Sequence, residues 1–465
     1  MIQRICLICI ALFYLPIHVI SQTFIEKETE FLIHKYLSPS SEIGIAVYNL
    51  SKNKWVYQHN SNKLSRPAST MKLMTGITAL SFDAPAFTTS AWYDGEVRDS
   101  ILYGDLYITG SMDPEFNNLK MIELATAIEN LAIKKISGHI YGDISYKDSL
   151  YWGTGWGWDD SPNAYQPYLS PIMFNKGKVS VVAKPLQFGQ KAELIISPES
   201  NYYTVKNQTV SKNKNIPDFK ATRDWLENKN NILVTGNVDR YRVRELSIVD
   251  PDLFFLHVLE EKLASKGITT EQGYQIKNLS AQNKPQHIHT ITTKLQDVLV
   301  PMLKESDNLN AEAMLLRLGS MAKSKHIGSG DGIVFIDSLL LKIGEKPNNY
   351  RFEDGSGLSP YNLVSPKLLV NMLKYAYETP SIYKRLLEGL PIAGVDGTLA
   401  HRMKKTTAYK KVKAKTGTIT AISSLAGYVE NSKGEILAFA ILNQNILKTV
   451  QAHRFQDAFC VLLSR

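Results

Sequence analysis

With 465 residues, 44% of them hydrophobic and 21% charged, the chain has room for two or three domains with ample core, and its balance excludes a disordered or fibrous protein. The formal charge of +9 admits a polyanionic partner. Its lysines and arginines are scattered, densest from Lys404 to Lys415, and an N-terminal export signal favours an anionic envelope polymer or a peripheral membrane contact over nucleic acid. Arg4 precedes an apolar run, Ile5–Ile20, that Pro16 and His18 interrupt. It is shorter than the roughly 20 residues a spanning helix needs. Val19 and Ser21 set a cleavage point ahead of Gln22, so residues 1–21 read as a signal peptide and the mature protein as exported to the periplasm or cell envelope. Cys6 and Cys9 leave with the signal, so Cys460 remains alone and no internal disulfide forms.

Phe24–Tyr36 has helical periodicity. Ile43–Leu50 and Lys54–His59 alternate as strands around a turn at Ser51-Lys52-Asn53. Ser69–Leu80 reads as an apolar helix that Pro67 starts. Short strand patterns follow at Ser100–Ile108, Ile136–Ile144, Val179–Ala183, Glu193–Ile196 and Ile232–Val238. Glu305–Met321 and Pro366–Tyr377 are helical by period; Val412–Ile422, Leu425–Glu430 and Ile436–Leu442 are strands; Val450–Leu463 is a closing helix that buries Cys460 as a small apolar residue. These patterns predict one domain assembled from both chain ends, residues 22–83 and 291–465, with a strand-rich insertion over residues 84–290 that has room for two modules.

Three motifs carry chemistry, and their order matters more than any one of them. Ser69-Thr70-Met71-Lys72 comes first, Ser306-Asp307-Asn308 second and Lys415-Thr416-Gly417-Thr418 last. S-x-x-K recurs at Ser51, Ser211, Ser320 and Ser381, whereas K-T-G occurs once, against roughly 0.1 copies expected by chance. On a helix Ser69 and Lys72 share a face, and a lysine made neutral by burial or by a nearby cation, for which Lys415 is the candidate, activates a serine hydroxyl. Ser306 and Asn308 point the same way in an extended turn, suited to proton relay and to holding an amide. Strand alternation puts Lys415 on one face and Thr416 and Thr418 on the other, so a shared cleft requires a twisted or edge strand. There the lysine and hydroxyls suit a terminal carboxylate, Gly417 permits close approach, and the N–H groups of Thr418 and Ser69 form an oxyanion hole.

The ordered set resembles the active site of penicillin-binding proteins and serine β-lactamases. More narrowly, the chain is similar to low-molecular-mass class C penicillin-binding proteins, the D-alanyl-D-alanine carboxypeptidase/endopeptidase (peptidase S13) family. The resemblance rests on the long insertion, on Ser306-Asp307-Asn308-Leu309 followed by Ala311-Glu312, on Asp354-Gly355-Ser356-Gly357-Leu358-Ser359, on Gly394-Val395-Asp396-Gly397-Thr398-Leu399, and on Gly155-Trp156-Gly157-Trp158-Asp159-Asp160 with Tyr165. It implies an α/β fold, an antiparallel sheet flanked by helices in the manner of penicillin-binding transpeptidase and serine β-lactamase domains, with the insertion looped out. It further implies Ser69 as acylated nucleophile, Lys72 as base, Ser306 as proton relay, Asn308 as amide ligand, and Lys415, Thr416, Gly417, Thr418 and Thr420 around the D-alanine carboxylate. Asp160 and Tyr165 join the substrate site from the insertion. The implied partners are peptidoglycan stem peptides and, as covalent inhibitors, β-lactams; no cofactor or metal is called for, and His287-x-His289 lacks a third ligand. A rapidly deacylating β-lactamase and a catalytically silent envelope scaffold or sensor are the rival readings. Two departures stand out: Met112 in Thr109-Gly110-Ser111-Met112-Asp113-Pro114, where the family has glycine, and Pro360, where it often has arginine.

Overall fold

A computed structural model describes residues 16–280 and 282–465, with side chains from residue 24 onward. Residues 1–15 of the expected signal peptide therefore lie outside the described residues. A helix, Pro16–Tyr36, runs through the expected cleavage point. Among the described residues no helix is long and apolar enough to cross a membrane.

The chain forms two compact units, one of residues through Ser81 with 300–306 and 336–465, the other of residues 82–299 and 307–335. The sequence placed 307–335 with the serine-motif domain; in the structure this stretch packs with the inserted unit. The reason is local. On its helix Asn308–Gly319, Arg317 donates to the carbonyls of Pro85 and Ala86, and Asn310 Nδ2 donates to Glu115.

The first unit is built on a five-stranded antiparallel sheet in the order Val412–Ile419, Ile422–Glu430, Ile436–Gln444, Glu42–Asn49, Lys54–His59. Glu42–Asn49 pairs with Ile436–Gln444 from Glu42↔Gln444 to Asn49↔Leu437, so the two chain ends share one sheet. Its inner strands are near-continuous apolar runs because both faces are covered. Ile43, Ile45 and Val47 face a cluster with Phe455, Phe459 and Cys460 of the Thr449–Leu463 helix. Gly44, one residue out of phase, lies against Pro366 at the start of the Pro366–Glu378 helix. A slip of one residue would exchange the two faces and bring a larger side chain to the place where even a Cβ on Gly44 would stand 2.8 Å from Pro366 Cγ, so residue size fixes the register. Cys460 is fully buried, and burial pushes its thiol pKa up, away from reactivity.

The second unit joins a seven-stranded sheet and two three-stranded sheets around a core that includes Phe116, Phe174, Phe254 and Phe255. The predicted strand Ile136–Ile144 is two pieces, Lys135–Ile136 and Ile140–Asp143. Between them Gly138 N bonds Gly104 O and His139 N bonds the Asp105 side chain. Met112 has φ 63°, the left-handed region where glycine is at ease. A side chain there costs about 1–2 kcal/mol, and complete burial of Met112 offsets a sum of that order.

The predicted helix Glu305–Met321 begins only at Asn308. Ser306 has φ 63°, and the Asp307 side chain accepts from Asn310 N as the helix cap. Ser306 therefore occupies the bend between Leu295–Lys304 and the next helix.

Candidate active site

Ser69 lies in a 3-10 turn, Ala68–Thr70, ahead of the α-helix Met71–Ser81, so the single helix predicted from Ser69 starts two residues late. Ala68 has φ 46°, a conformation that costs an alanine about 1–2 kcal/mol. The surroundings impose it. Gly357, at φ 79°, packs so closely that a Cβ would stand 1.9 Å from Ala68 O. From the sheet, Ser424 Oγ donates to Pro67 O at 2.5 Å.

Lys72 is fully buried; its Nζ donates to Ser69 Oγ at 2.9 Å and to Ser356 O at 2.8 Å. That carbonyl is held by a knot around buried Asp354, which accepts from Gly357 N at 2.8 Å, Ser359 N at 2.7 Å and Asn362 Nδ2 at 2.8 Å. The Asp354–Ser359 motif thus aims an acceptor at Lys72 and a glycine at Ala68. The hydroxyls of other S-x-x-K serines are engaged elsewhere: Ser51 Oγ accepts from Ile436 N, Ser211 Oγ from Leu186 N, and Ser320 Oγ donates to Arg317 O.

Val412–Ile419 lies at the edge of the sheet, one of the two arrangements, twisted or edge, under which Lys415, Thr416 and Thr418 can share a cleft. Lys415 is fully buried, and its Nζ donates to Ser306 Oγ at 2.8 Å and Thr416 O at 2.7 Å. Burial first, then the charge of Lys72, hold the Lys415 pKa well below the usual lysine value. The sequence cast Lys415 as the cation acting on Lys72; the structure adds the reverse effect. Thr416 Oγ1 donates to Thr398 Oγ1 at 2.7 Å, Thr418 is exposed, and Thr420 lies beyond the strand in the turn before Ile422. A Cβ on Gly417 would meet Ser424 Oγ at 2.1 Å and Ser69 N at 2.9 Å, so glycine is what lets this strand lie against the serine backbone. Asp396, which precedes the 3-10 turn Gly397–Leu399 that carries Thr398, accepts from Lys304 Nζ at 2.7 Å, and the same ammonium donates to Leu390 O at 2.7 Å.

In the inserted unit Tyr165 OH donates to Asp160 Oδ1 at 2.8 Å, and Asn308 Nδ2 donates to Tyr165 O at 2.7 Å. Asp160 and Tyr165, nominated from the insertion, are thus joined in one cluster with Asn308 of the second motif. Burial and then Asp160 push the Tyr165 pKa up to about 12, so this phenol keeps its proton. His287 and His289 bond to different partners. A register shift separates them, and their Nε2 atoms lie 2.8 Å from Thr290 Oγ1 and 2.8 Å from Glu123 Oε1 respectively.

Lys176 was not anticipated. It follows Asn175 and precedes Gly177, three successive residues at positive φ, and its Nζ donates to Glu115 Oε1 at 2.7 Å, Asp307 Oδ2 at 2.7 Å and Asn310 Oδ1 at 2.9 Å. Asn-Lys-Gly is legible as a turn, but nothing local says that its ammonium meets Asp307. Burial opposes the charge on Lys176, yet Asp307 and Glu115 raise its pKa overall; burial likewise opposes the Asp307 charge, yet Lys176 lowers that pKa. The pair therefore stabilises the fold from above the ordinary aspartate value up to the lysine range. It loses that contribution as pH falls through the lowered Asp307 pKa or rises through the raised Lys176 pKa. Lys176→Met leaves two partly buried carboxylates unpaired and should cost about 3 kcal/mol near neutral pH. Thermal melts check this: the deficit relative to the parent should shrink as pH drops below about 4, where the carboxylates protonate.

A serine, two buried lysines and an edge strand on an antiparallel sheet define the class of penicillin-binding serine hydrolases. The chain belongs to the D-Ala-D-Ala carboxypeptidase 3 (S13) family, whose model matches residues 32–465. It is 30% identical to a D-alanyl-D-alanine carboxypeptidase of an Actinomadura species over 86% of this chain and 77% of that one. It is 27% identical to the D-alanyl-D-alanine carboxypeptidase DacB of Haemophilus influenzae over 87% of this chain and 85% of that one. The crystal structure of penicillin binding protein 4 (dacB) from Haemophilus influenzae shares the fold, with a TM-score of 0.82 at 23% identity, covering 94% of this chain and 99% of that one. A second structure of that protein contains a β-lactam. The chain is accordingly a serine-type carboxypeptidase with a penicillin-binding-protein fold.

Proposed function

We propose that the protein is an exported DD-peptidase of the peptidoglycan stem peptide that works through a Ser69 acyl-enzyme. The 2.9 Å bond between Lys72 Nζ and Ser69 Oγ carries this reading. Lys72 takes the hydroxyl proton as Ser69 Oγ attacks the carbonyl of the penultimate D-alanine. The oxyanion faces the N–H groups of Ser69 and Thr418. Ser306, bonded to Lys415, passes a proton to the departing amine, and the terminal D-alanine leaves. Water then cleaves the Ser69 ester and restores the hydroxyl. Asn308 binds the peptide amide; Lys415, Thr416 and Thr418 hold the terminal carboxylate along the edge that Gly417 opens, with Thr420 at its outer end; Asp160 and Tyr165 contact the rest of the stem. The same acylation cleaves a D-alanine cross-link, so endopeptidase action belongs to the proposal. The proposed compartment is the periplasm or cell envelope, reached by cleavage of residues 1–21, and β-lactams are the proposed covalent inhibitors. Chromatography of free pentapeptide and of cross-linked muropeptide dimers tests the reading: D-alanine release from the first is expected, and dimer cleavage tests the endopeptidase arm. If neither substrate changes, the reading fails.

Pro360 makes a specificity prediction. A proline has no charge and no N–H, so it cannot pair with a side-chain carboxylate as an arginine fork does. Peptides with lysine or amidated diaminopimelate at the third position should be cleaved within about tenfold of those with the free acid, about 1.4 kcal/mol, as measured by kcat/KM on matched peptides. A larger preference for the free acid would assign the arginine's role to another residue.

A further inference from the structure

Two indoles in the inserted unit have no place in the chemistry above. Trp158, on the 3-10 turn Trp158–Asp160, is 68% exposed. Its ring stacks on Trp225, with centroids 5.6 Å apart and planes at 29°. Leu226, next to Trp225, is 75% exposed. Trp225 itself is half-buried. An indole left in water forgoes the burial that normally holds it, so an exposed ring held in place on a half-buried one points to a ligand.

The pair is fixed by a built scaffold. Arg223 is fully buried, and its guanidinium reaches both turns. Nη2 donates to Ser161 Oγ at 3.4 Å, beside the Trp158 turn, while Nη1 donates to Lys229 O at 3.4 Å, beyond the Trp225 turn. The same group donates through Nε to Ser247 O at 2.7 Å and through Nη2 to Tyr168 OH at 3.1 Å. On the Trp158 side, Gln166 Nε2 donates to Gly157 O at 2.7 Å and Asn163 Nδ2 to Asp160 O at 2.7 Å. The rings are thus preorganised, and little side-chain freedom remains to be lost on binding.

We infer that Trp158 and Trp225 form a saccharide platform that takes an N-acetylated sugar of the glycan strand to which the stem peptide is joined. A flat indole matches the C–H face of a pyranose, whose hydroxyl and acetamido groups stay in water. Asp160, two residues after Trp158, accepts from Tyr165, and Tyr165 O accepts from Asn308, so the platform is continuous with the cluster proposed to hold the stem peptide. The inference rests on the peptidoglycan reading, and its test separates the two.

Two substrates with the same pentapeptide are compared, one bearing the N-acetylglucosamine–N-acetylmuramic acid disaccharide and one bare. The parent should favour the sugar-bearing form by at least about fivefold in kcat/KM. Trp158→Ala and Trp225→Ala should each abolish most of that preference and leave the bare peptide unchanged, and Trp158→Phe should restore part of it. Tryptophan fluorescence titrated with the β-1,4-linked tetramer of N-acetylglucosamine reads binding without catalysis; a saturable change should occur in the parent and disappear in Trp158→Ala. Equal losses on both substrates would place Trp158 in the peptide site and overturn the proposal. So would a parent that shows neither the preference nor the fluorescence change, or indole-dependent self-association in sedimentation. Failure of all hydrolysis with saturable tetramer binding intact would count against the peptidase reading alone.

Discussion

Ser69→Ala should gain no mass on incubation with penicillin, while the parent gains one antibiotic per chain. Only a hydroxyl is lost, from a partly exposed turn, and Lys72 keeps its bond to Ser356 O. The fold should therefore change by about 1 kcal/mol or less. D-alanine release should fall by a factor of roughly 10⁴ or more, since nothing remains to carry the acyl group. Intact-mass spectrometry with peptide mapping decides the matter. An adduct on the variant, or a parent adduct mapped to Ser320 or Ser381, would mean the nucleophile has been misassigned.

Replacing the two lysines should separate their roles. Lys72→Ala removes the base, and acylation by every substrate should fall together by roughly 10²–10⁴-fold. Lys415→Ala removes a carboxylate partner, so a peptide with a free terminal carboxylate should lose roughly 10²-fold while its terminal amide loses much less. The pH dependence has a definite sign. Because burial and Lys72 depress the Lys415 pKa, the free enzyme sheds that proton earlier than an ordinary lysine as pH rises. Above that point the incoming carboxylate must draw a proton back, so kcat/KM should decline with rising pH more steeply for the free acid than for the amide. Equal losses for the two peptides in Lys415→Ala would remove the carboxylate role.

Much of this site was legible because its chemistry is local. Ser69 and Lys72 meet across three residues, and the alternation along Lys415-Thr416-Gly417-Thr418 called for a twisted or an edge strand if one cleft was to take all three side chains; the strand lies at the sheet's edge. The apolar runs of the first unit's sheet were readable because burial on both faces leaves few polar residues in them. What escaped depends on distant partners. The 3-10 turn at Ser69 is imposed by Gly357 and by Ser424, far along the chain. The helical period was carried back to Glu305 because the neighbouring residues favour a helix, whereas the cap formed by Asp307 starts it at Asn308 and leaves Ser306 in the turn that its motif called for. Lys176 pairs with a carboxylate 131 residues away, a relation without a sequence period. Helices Asn118–Glu129 and Pro251–Ser265 were missed because the strand patterns around them dominate the inserted unit.

The most direct test follows a fluorescent penicillin on the protein while D-alanine release is assayed in parallel. The account predicts one adduct per chain on Ser69, long-lived relative to the assay, with carboxypeptidase activity extinguished in proportion to labelling. Rapid turnover of the antibiotic with free enzyme regenerated would make the protein a β-lactamase, and the absence of both adduct and D-alanine release would leave a silent scaffold; either result would contradict the account.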